Sequence, residues 1–414
     1  MNLQHYLRPL LVPSSVAFVG ATSRAGSLGR IVIENLLEGD FKGELHFVNP
    51  HHRRVFNRRC HASLRAIGKP VELALIAVPC ADVPSVLDDG ARAGVRAAVL
   101  LSAPPPDEGD ARRWEREVMA TARRRRIRLL GPHAFGVIHT DIGLNATMGA
   151  AVALPGRLAL IAQSGAVCTA MLNFATPLGI GFSTVVALGG GYDIGFGELL
   201  DAVLRDPDTD GILLYVEDVR DARSFVSALR AAARTKPVVV LRAGRSREEG
   251  AKEPGAPTPD AVFDAALKRA GTVRVKTYTQ LFAAARILAM GRIPRSDRLA
   301  IVTNGRGPGT LAADSAADRG VPLAVLSQDT QKALVDILPA HMPTETATRV
   351  HPAQTRARSS RATRSIRCLC ISRARTALWW GWAAISSVRA AATIAIPTRP
   401  TRPAATHSRG NPSK

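Results

Sequence analysis

Ser15-Val-Ala-Phe-Val-Gly20-Ala-Thr-Ser-Arg-Ala-Gly-Ser-Leu-Gly29 decides how this chain folds. An uncharged run ending in a glycine reads as a short buried strand. Leu28–Leu37 follows with apolar residues at helical spacing, and Glu44-Leu-His-Phe-Val48 is a second strand closed by Asn49-Pro50. Strand, glycine-rich turn, helix and strand make a right-handed βαβ unit. Main-chain N–H groups and the positive end of the helix dipole favour an anion at such a turn. Gly20 permits the tight turn, while Gly26 and Gly29 permit close approach of the backbone to a ligand and of the helix to the strand. Thr22, Ser23 and Ser27 are candidate hydroxyl donors, and Arg24 is a candidate counter-charge for a phosphate. The dinucleotide fingerprint asks for a second glycine where Thr22 stands and for an acidic residue where the second strand ends in Asn49. An NAD(P)-dependent Rossmann oxidoreductase is therefore a third-ranked reading.

The alternation continues. Leu73–Val78, Ala97–Leu101 and Arg128–Leu130 are expected strands, with helices over Val83–Ala93 and Glu108–Arg125 between them. Pro155-Gly156 opens a second series: a strand at Arg157–Ala162, the turn Gln163-Ser164-Gly165-Ala166 as a second anion nest, then alternating strands and helices to Ala289. A third series has only two expected strands, Arg298–Asn304 and Pro322–Leu326, with a third glycine-rich turn at Asn304–Gly309. The expected organisation is a Rossmann-like domain over residues 8–150, a flavodoxin-like doubly wound domain over 155–295, and an incomplete further flavodoxin-like domain over 297–345.

Residues 346–414 differ from the rest. They hold twelve Arg and one Lys and no acidic residue, and three of the four tryptophans, Trp379, Trp380 and Trp382. This segment reads either as a basic disordered arm or as an out-of-frame translation, and the abrupt end of the third series favours the second. The formal charge of +21 falls to +8 without it, 42 basic residues against 34 acidic. That balance is ordinary for a protein handling phosphorylated ligands, so nucleic acid is not an expected partner. The run Arg123–Arg126 ends a helix, where cations suit the dipole. Cys60, Cys80, Cys168, Cys368 and Cys370 show no zinc spacing, and neither His51-His52 nor His61 has partners at ligand spacing, so no metal is expected. No 18-residue apolar run and no signal-like start is seen, and a cytoplasmic location is expected.

The quoted glycine turn resembles the CoA-binding domain of NDP-forming acyl-CoA synthetases, relatives of the succinyl-CoA ligase α subunit. The stretches LLGPHAFGVIHTDIGLNATM, IAQSGAV, GIGFSTVVALGGGYDIGFGELLDAVL and LAIVTNGRGPGTLAADS extend the likeness over about residues 8–340. The resemblance implies a coenzyme A or acetyl-CoA site lined by Gly20, Thr22, Ser23, Gly26, Asn49 and Pro50, bordered by Val78, Pro79, Ser102 and Ala103. It also implies a phosphate-receiving helix start at Ser164-Gly165 and a supporting carboxylate at Glu217. The family's phosphorylated histidine is replaced by Glu253, or by Lys252 in an ungapped alignment, and no histidine occurs between His139 and His341. His133 stands where the family has Asn. The missing histidine, with LLSAPP and VALGGGYDI, resembles the synthetase-like half of bacterial GNAT-type protein lysine acetyltransferases. The favoured expectation is therefore a truncated CoA-sensing half of such an enzyme without catalytic residues of its own. An ADP-forming acetyl-CoA ligase α-type subunit is the alternative. A homo-oligomer, an ATP-grasp chain or a GNAT domain are the expected partners.

Overall fold

The computed structural model describes residues 5–244, 257–290, 297–302, 306–330 and 347–348. Residues 1–293 form one compact unit and residues 294–414 another. The first unit holds two seven-stranded sheets.

The first sheet contains β1 (Ser15–Val19), β2 (Glu44–Val48), the hairpin β3 (Arg54–Val55) and β4 (Arg58–His61), β5 (Leu73–Ile76), β6 (Ala97–Leu100) and β7 (Arg128–Leu130), in the order β3-β4-β2-β1-β5-β6-β7. All but β3 run parallel. β1, β5 and β6 are buried at every position. That is why they are aliphatic throughout: helices cover both faces of a parallel sheet. Helix α1 (Arg8–Leu11) precedes this sheet, and α2 (Leu28–Glu38), α3 (Val83–Arg92) and α4 (Glu108–Arg125) cover it. The α2 chain leaves β1 toward β2 while β5 pairs on the other side of β1, so the glycine turn sits at a topological switch point, where open α/β sheets bind ligands.

The second sheet repeats this plan. Its elements are the hairpin β8 (Gly136–His139) and β9 (Leu144–Thr147), then β10 (Pro155–Ala162), α5 (Gly165–Ala175), β11 (Phe182–Ala187), α6 (Phe196–Leu204), β12 (Gly211–Val216), α7 (Ala222–Ala233), β13 (Val238–Arg242), α8 (Pro259–Ala270), β14 (Val273–Val275) and α9 (Tyr278–Ala289). The order β14-β13-β12-β10-β11-β8-β9 puts β10 at a second switch point, with β11 on one side and β12 on the other. Sequence reading gave no strands between residues 131 and 154. The structure finds the β8–β9 hairpin there, antiparallel to β11 and fully buried, with Gly143 in its turn at φ +66°. The second sheet thus draws its edge from a segment lying before residue 150.

In the second unit, β15 (Ile301–Val302) and α10 (Arg306–Ala317) precede Val321, and β15 pairs with β16 (Ala347–Thr348). The strand expected at Pro322–Leu326 is reduced to a single bridge between Leu299 and Leu323. A strand needs a ladder on at least one side, and among the described residues Val325 is left 75% exposed.

Candidate functional site

The turn after β1 is held by its neighbours. Gly20 and Ala21 donate their amides to the carbonyl of Val48 at 2.9 and 3.2 Å. Asn49 Nδ2 donates to the Ala21 carbonyl at 2.8 Å, and Asn49 Oδ1 accepts from the His51 amide at 2.9 Å. Gly20 lies at φ +96°, and a Cβ there would stand 2.2 Å from the Ala77 carbonyl oxygen, so no other residue fits. Gly26 is different: φ is +72° but a Cβ would meet no atom within 4 Å. Its space opens to solvent.

The hydroxyls expected to face a ligand are partly occupied. Ser27 caps α2, accepting from the Arg30 amide at 3.2 Å and donating to the Arg24 carbonyl at 2.7 Å. Thr22 Oγ1 accepts from the Arg24 amide at 3.2 Å. What stays open is the main chain. Among the described residues the amides of Thr22, Ser23, Ala25, Gly26 and Leu28 have no acceptor, and Arg24 is exposed without an ion pair. Five N–H donors, a free guanidinium and a helix N-terminus make this turn a candidate anion cradle.

The other expected lining residues come to the same sheet edge. Val78 and Pro79 follow β5, and Ser102 and Ala103 follow β6. Ser102 Oγ donates to the Val78 carbonyl at 2.5 Å, tying the two crossovers together. His133, at φ +53°, takes the left-handed conformation that Asn adopts most readily, and its ring is exposed. Its amide donates to the Ser102 carbonyl at 3.1 Å.

The second cradle lies after β10. Ser164 is the N-cap of α5, yet its hydroxyl makes no bond to its own helix, whose first turn has no acidic residue. Gln163 does not point to a ligand: its Oε1 accepts from the amides of Glu217 and Asp218 at 2.5 and 2.9 Å and so positions the chain after β12. Glu217 is exposed there. Beside it Tyr215 stacks on Tyr278 with ring centroids 6.2 Å apart. Burial, then Tyr278, pushes the Tyr215 phenol well above its ordinary value, so it remains a proton donor. Gly165 is required by packing, since a Cβ would come within 2.7 Å of the Phe135 ring.

Glu253 and Lys252 lie outside the described residues, as does the segment 349–414. Asn304 and Gly305 of the third glycine-rich turn do too. Cys168 is fully buried, and burial pushes its thiol up to about 12, which removes it as a nucleophile. Among the described residues no group of His, Cys, Asp or Glu could hold a metal ion, and no helix is long and apolar enough to cross a membrane.

Sequence reasoning missed the loop after β11. Its residues Gly190, Tyr192 and Ile194 donate amides to the carbonyls of Pro132, Gly131 and Leu129. Asp193 Oδ2 accepts from the Leu129 amide and from Arg128 Nε, both at 2.8 Å. The loop therefore runs along β7, the edge of the first sheet. Its bonds join residues more than 50 positions apart, which no local spacing reveals.

Residues 14–140 match the CoA binding domain, and residues 155–288 match the succinyl-CoA ligase like flavodoxin domain. The α subunit of acetate–CoA ligase [ADP-forming] I from Pyrococcus furiosus is 36% identical over 327 residues, 77% of this chain and 71% of that one. Acetate–CoA ligase [ADP-forming] I from Archaeoglobus fulgidus is 36% identical over 337 residues, 80% of this chain and 48% of that one. This chain thus spans about half the length of such relatives. A dinucleotide-forming acetyl-coenzyme A synthetase from Ca. Korarchaeum cryptofilum, solved with phosphate and ADP, superposes with a TM-score of 0.77 at 29% identity, over 84% of this chain and 76% of that one. These likenesses overturn the expectation of a truncated lysine acetyltransferase half. That reading rested on a missing histidine in a segment outside the described residues, whereas the identity to ligases runs through both sheets, and one of those ligases is a separate α subunit. The chain belongs to the NDP-forming acyl-CoA synthetase family, on its succinyl-CoA ligase-like, α-type side.

Proposed function

We propose that this chain is the CoA-handling, α-type part of an ADP-forming acyl-CoA ligase. The observation that carries the reading is the set of five unpaired amides at the turn between β1 and α2, with open space beside Gly26. The pyrophosphate of CoA sits on these amides, with Arg24 as counter-charge. Asn49 holds the turn in shape, and Pro50, Val78, Pro79, Ser102 and Ala103 border the path of the rest of the molecule. Thr22, Ser23 and Ser27 shape the cradle more than they donate to it.

ADP formation means that ATP gives up its γ-phosphoryl group, so the acyl group is activated as an acyl phosphate. The CoA sulfur attacks the acyl carbon, the carbon–sulfur bond forms, the bond to the phosphate oxygen breaks, and the thiol proton leaves to solvent or phosphate. The α5 N-terminus and the free Ser164 hydroxyl receive the departing phosphate. Glu217, positioned by Gln163, faces that step. No phosphoryl carrier is assigned to a residue of this chain, and an ATP-grasp β-type chain supplies the nucleotide site. A reducing cytoplasmic setting suits the free thiols of Cys60, Cys80 and Cys168.

Calorimetric titration of the full chain with CoA tests the reading. One CoA per chain is expected, with no heat from NADH. Silence with CoA on folded protein overturns it.

A further inference from the structure

We infer that the groove between α4 and the crossovers after β11 and β12 is a second anion site, taking a small ligand that carries a phosphate dianion or a diphosphate. The groove has a volume of about 290 Å³ and is lined by Glu115, Arg116, Met119 and Arg123 of α4 with Tyr192 and Arg220. That size is close to the lower end of small-molecule sites, roughly 300 Å³. It uses none of the residues of the proposed CoA site.

The charge pattern along α4 carries the argument. Every other arginine of the helix has an acidic partner: Arg112 has Glu108, Arg113 has Asp110, and Arg124 and Arg125 share Asp88. Arg116 and Arg123 are seven residues apart, hence on one face, and have no acidic partner among the described residues. Arg220 comes to the same groove from the crossover three residues after Glu217. Its guanidinium lies 3.8 Å above the Tyr192 ring, which fixes its plane. Of the lining residues described, only Glu115 opposes these charges, 3.8 Å from Arg220. Three guanidiniums that cannot lose their protons against one carboxylate leave two positive charges in a concave site. The concavity and the stacked, pre-oriented guanidinium fit a compact oxyanion better than an extended acidic polypeptide.

The test is a pyrophosphate titration of the full chain at constant ionic strength, with CoA at saturation so that the glycine turn of the proposed function is already filled. Wild type is compared with Arg116→Glu/Arg123→Glu and with Arg112→Glu/Arg113→Glu, which reverses the same charge on the same helix outside the groove. Thermal melts confirm that each variant folds, and Arg116→Gln/Arg123→Gln serves if the reversal does not. The expected result is a sub-millimolar component weakened at least tenfold in the groove variant and less than twofold in the control. CoA binding should be unchanged in both. Equal weakening in both variants reduces the effect to net charge and overturns the site, as does an unaltered titration in the groove variant. Binding of an acidic protein without binding of pyrophosphate overturns it too.

Discussion

Gly26→Ala separates the two roles of the glycine turn. At φ +72° a side chain costs about 1–2 kcal/mol in backbone strain. No packing cost is added, because the new methyl meets no protein atom within 4 Å. The fold should lose only that amount, a few degrees in Tm. The ligand should lose more. With the ligand seated on this turn as proposed, the methyl and the strained backbone disturb its contacts, and losing one main-chain bond to a charged oxygen costs about 1.5–3 kcal/mol. Each 1.4 kcal/mol is tenfold in Kd, so CoA binding should weaken about 10- to 100-fold. Urea denaturation reads the first quantity and calorimetry at 25 °C the second. Gly20→Ala gives the opposite balance: its methyl collides with the Ala77 carbonyl at 2.2 Å, and the fold itself should lose about 3 kcal/mol or more. If Gly26→Ala is folded and binds CoA within threefold of wild type, the ligand does not lie on this turn and the reasoning fails.

Asn49→Asp keeps the shape of the side chain but cannot donate to the Ala21 carbonyl. It should cost about 1 kcal/mol of stability and weaken CoA binding, whereas Asn49→Ala, which also loses the bond from the His51 amide, should cost about 2 kcal/mol. Equal denaturation midpoints for wild type and both variants would show that the clamp contributes nothing. Cys168 should resist a thiol reagent at pH 8 until the chain unfolds, while Cys80, half-buried, reacts before Cys60 and Cys168; mass mapping of the labelled peptides reads the order, and early labelling of Cys168 would contradict its burial. His139 is buried, and desolvation holds its pKa below the ordinary 6.5. The unfolded chain therefore takes up a proton near pH 6.5 before the folded one does. Its contribution is complete above pH 6.5 and declines as pH falls below it, by at most about 1.4 kcal/mol per pH unit for one histidine. His139→Gln should flatten the stability profile between pH 6.5 and 5, and an unchanged slope would refute the assignment.

Much of this was legible in the residues. β1, β5 and β6 are aliphatic because both their faces are covered, and a run such as Leu73–Ile76 has few other uses. The glycine turn was legible as a strand end, tight turn and helix start, because the three are contiguous in sequence. What a local reading could not supply was the fate of each polar side chain. Ser27 looks like a ligand donor and is a helix cap; Gln163 looks like part of a nest and instead holds the chain after β12, 54 residues away. The β3–β4 hairpin was hidden by its arginines, which an edge strand tolerates and a central one does not.

The second sheet bears on the proposal that the two turns serve one site. Each lies at the C-terminal end of a central strand, β1 or β10, and in separate domains such ends have no reason to meet. Here the turn at Gly131–His133 leaves β7 and passes at once into β8, so the first sheet's edge strand and the hairpin that closes one side of the second sheet are a few residues apart in sequence. The loop after β11 then bonds back along β7 through Gly190, Tyr192 and Ile194, while Asp193 holds both the Leu129 amide and Arg128. From the first sheet, the His133 amide reaches the Ser102 carbonyl, and Ser102 reaches Val78. The connection from the border of the proposed CoA path to the second sheet is therefore made of main-chain bonds, side-chain bonds from Ser102 and Asp193, and the half-buried ion pairs of Arg128 with Asp193 and Glu198. Such a joint is stiff. For the proposed function that matters: a long thiol-bearing ligand held by its pyrophosphate at Gly26 would reach the α5 N-terminus with its reacting end only if the two strand ends keep a constant separation.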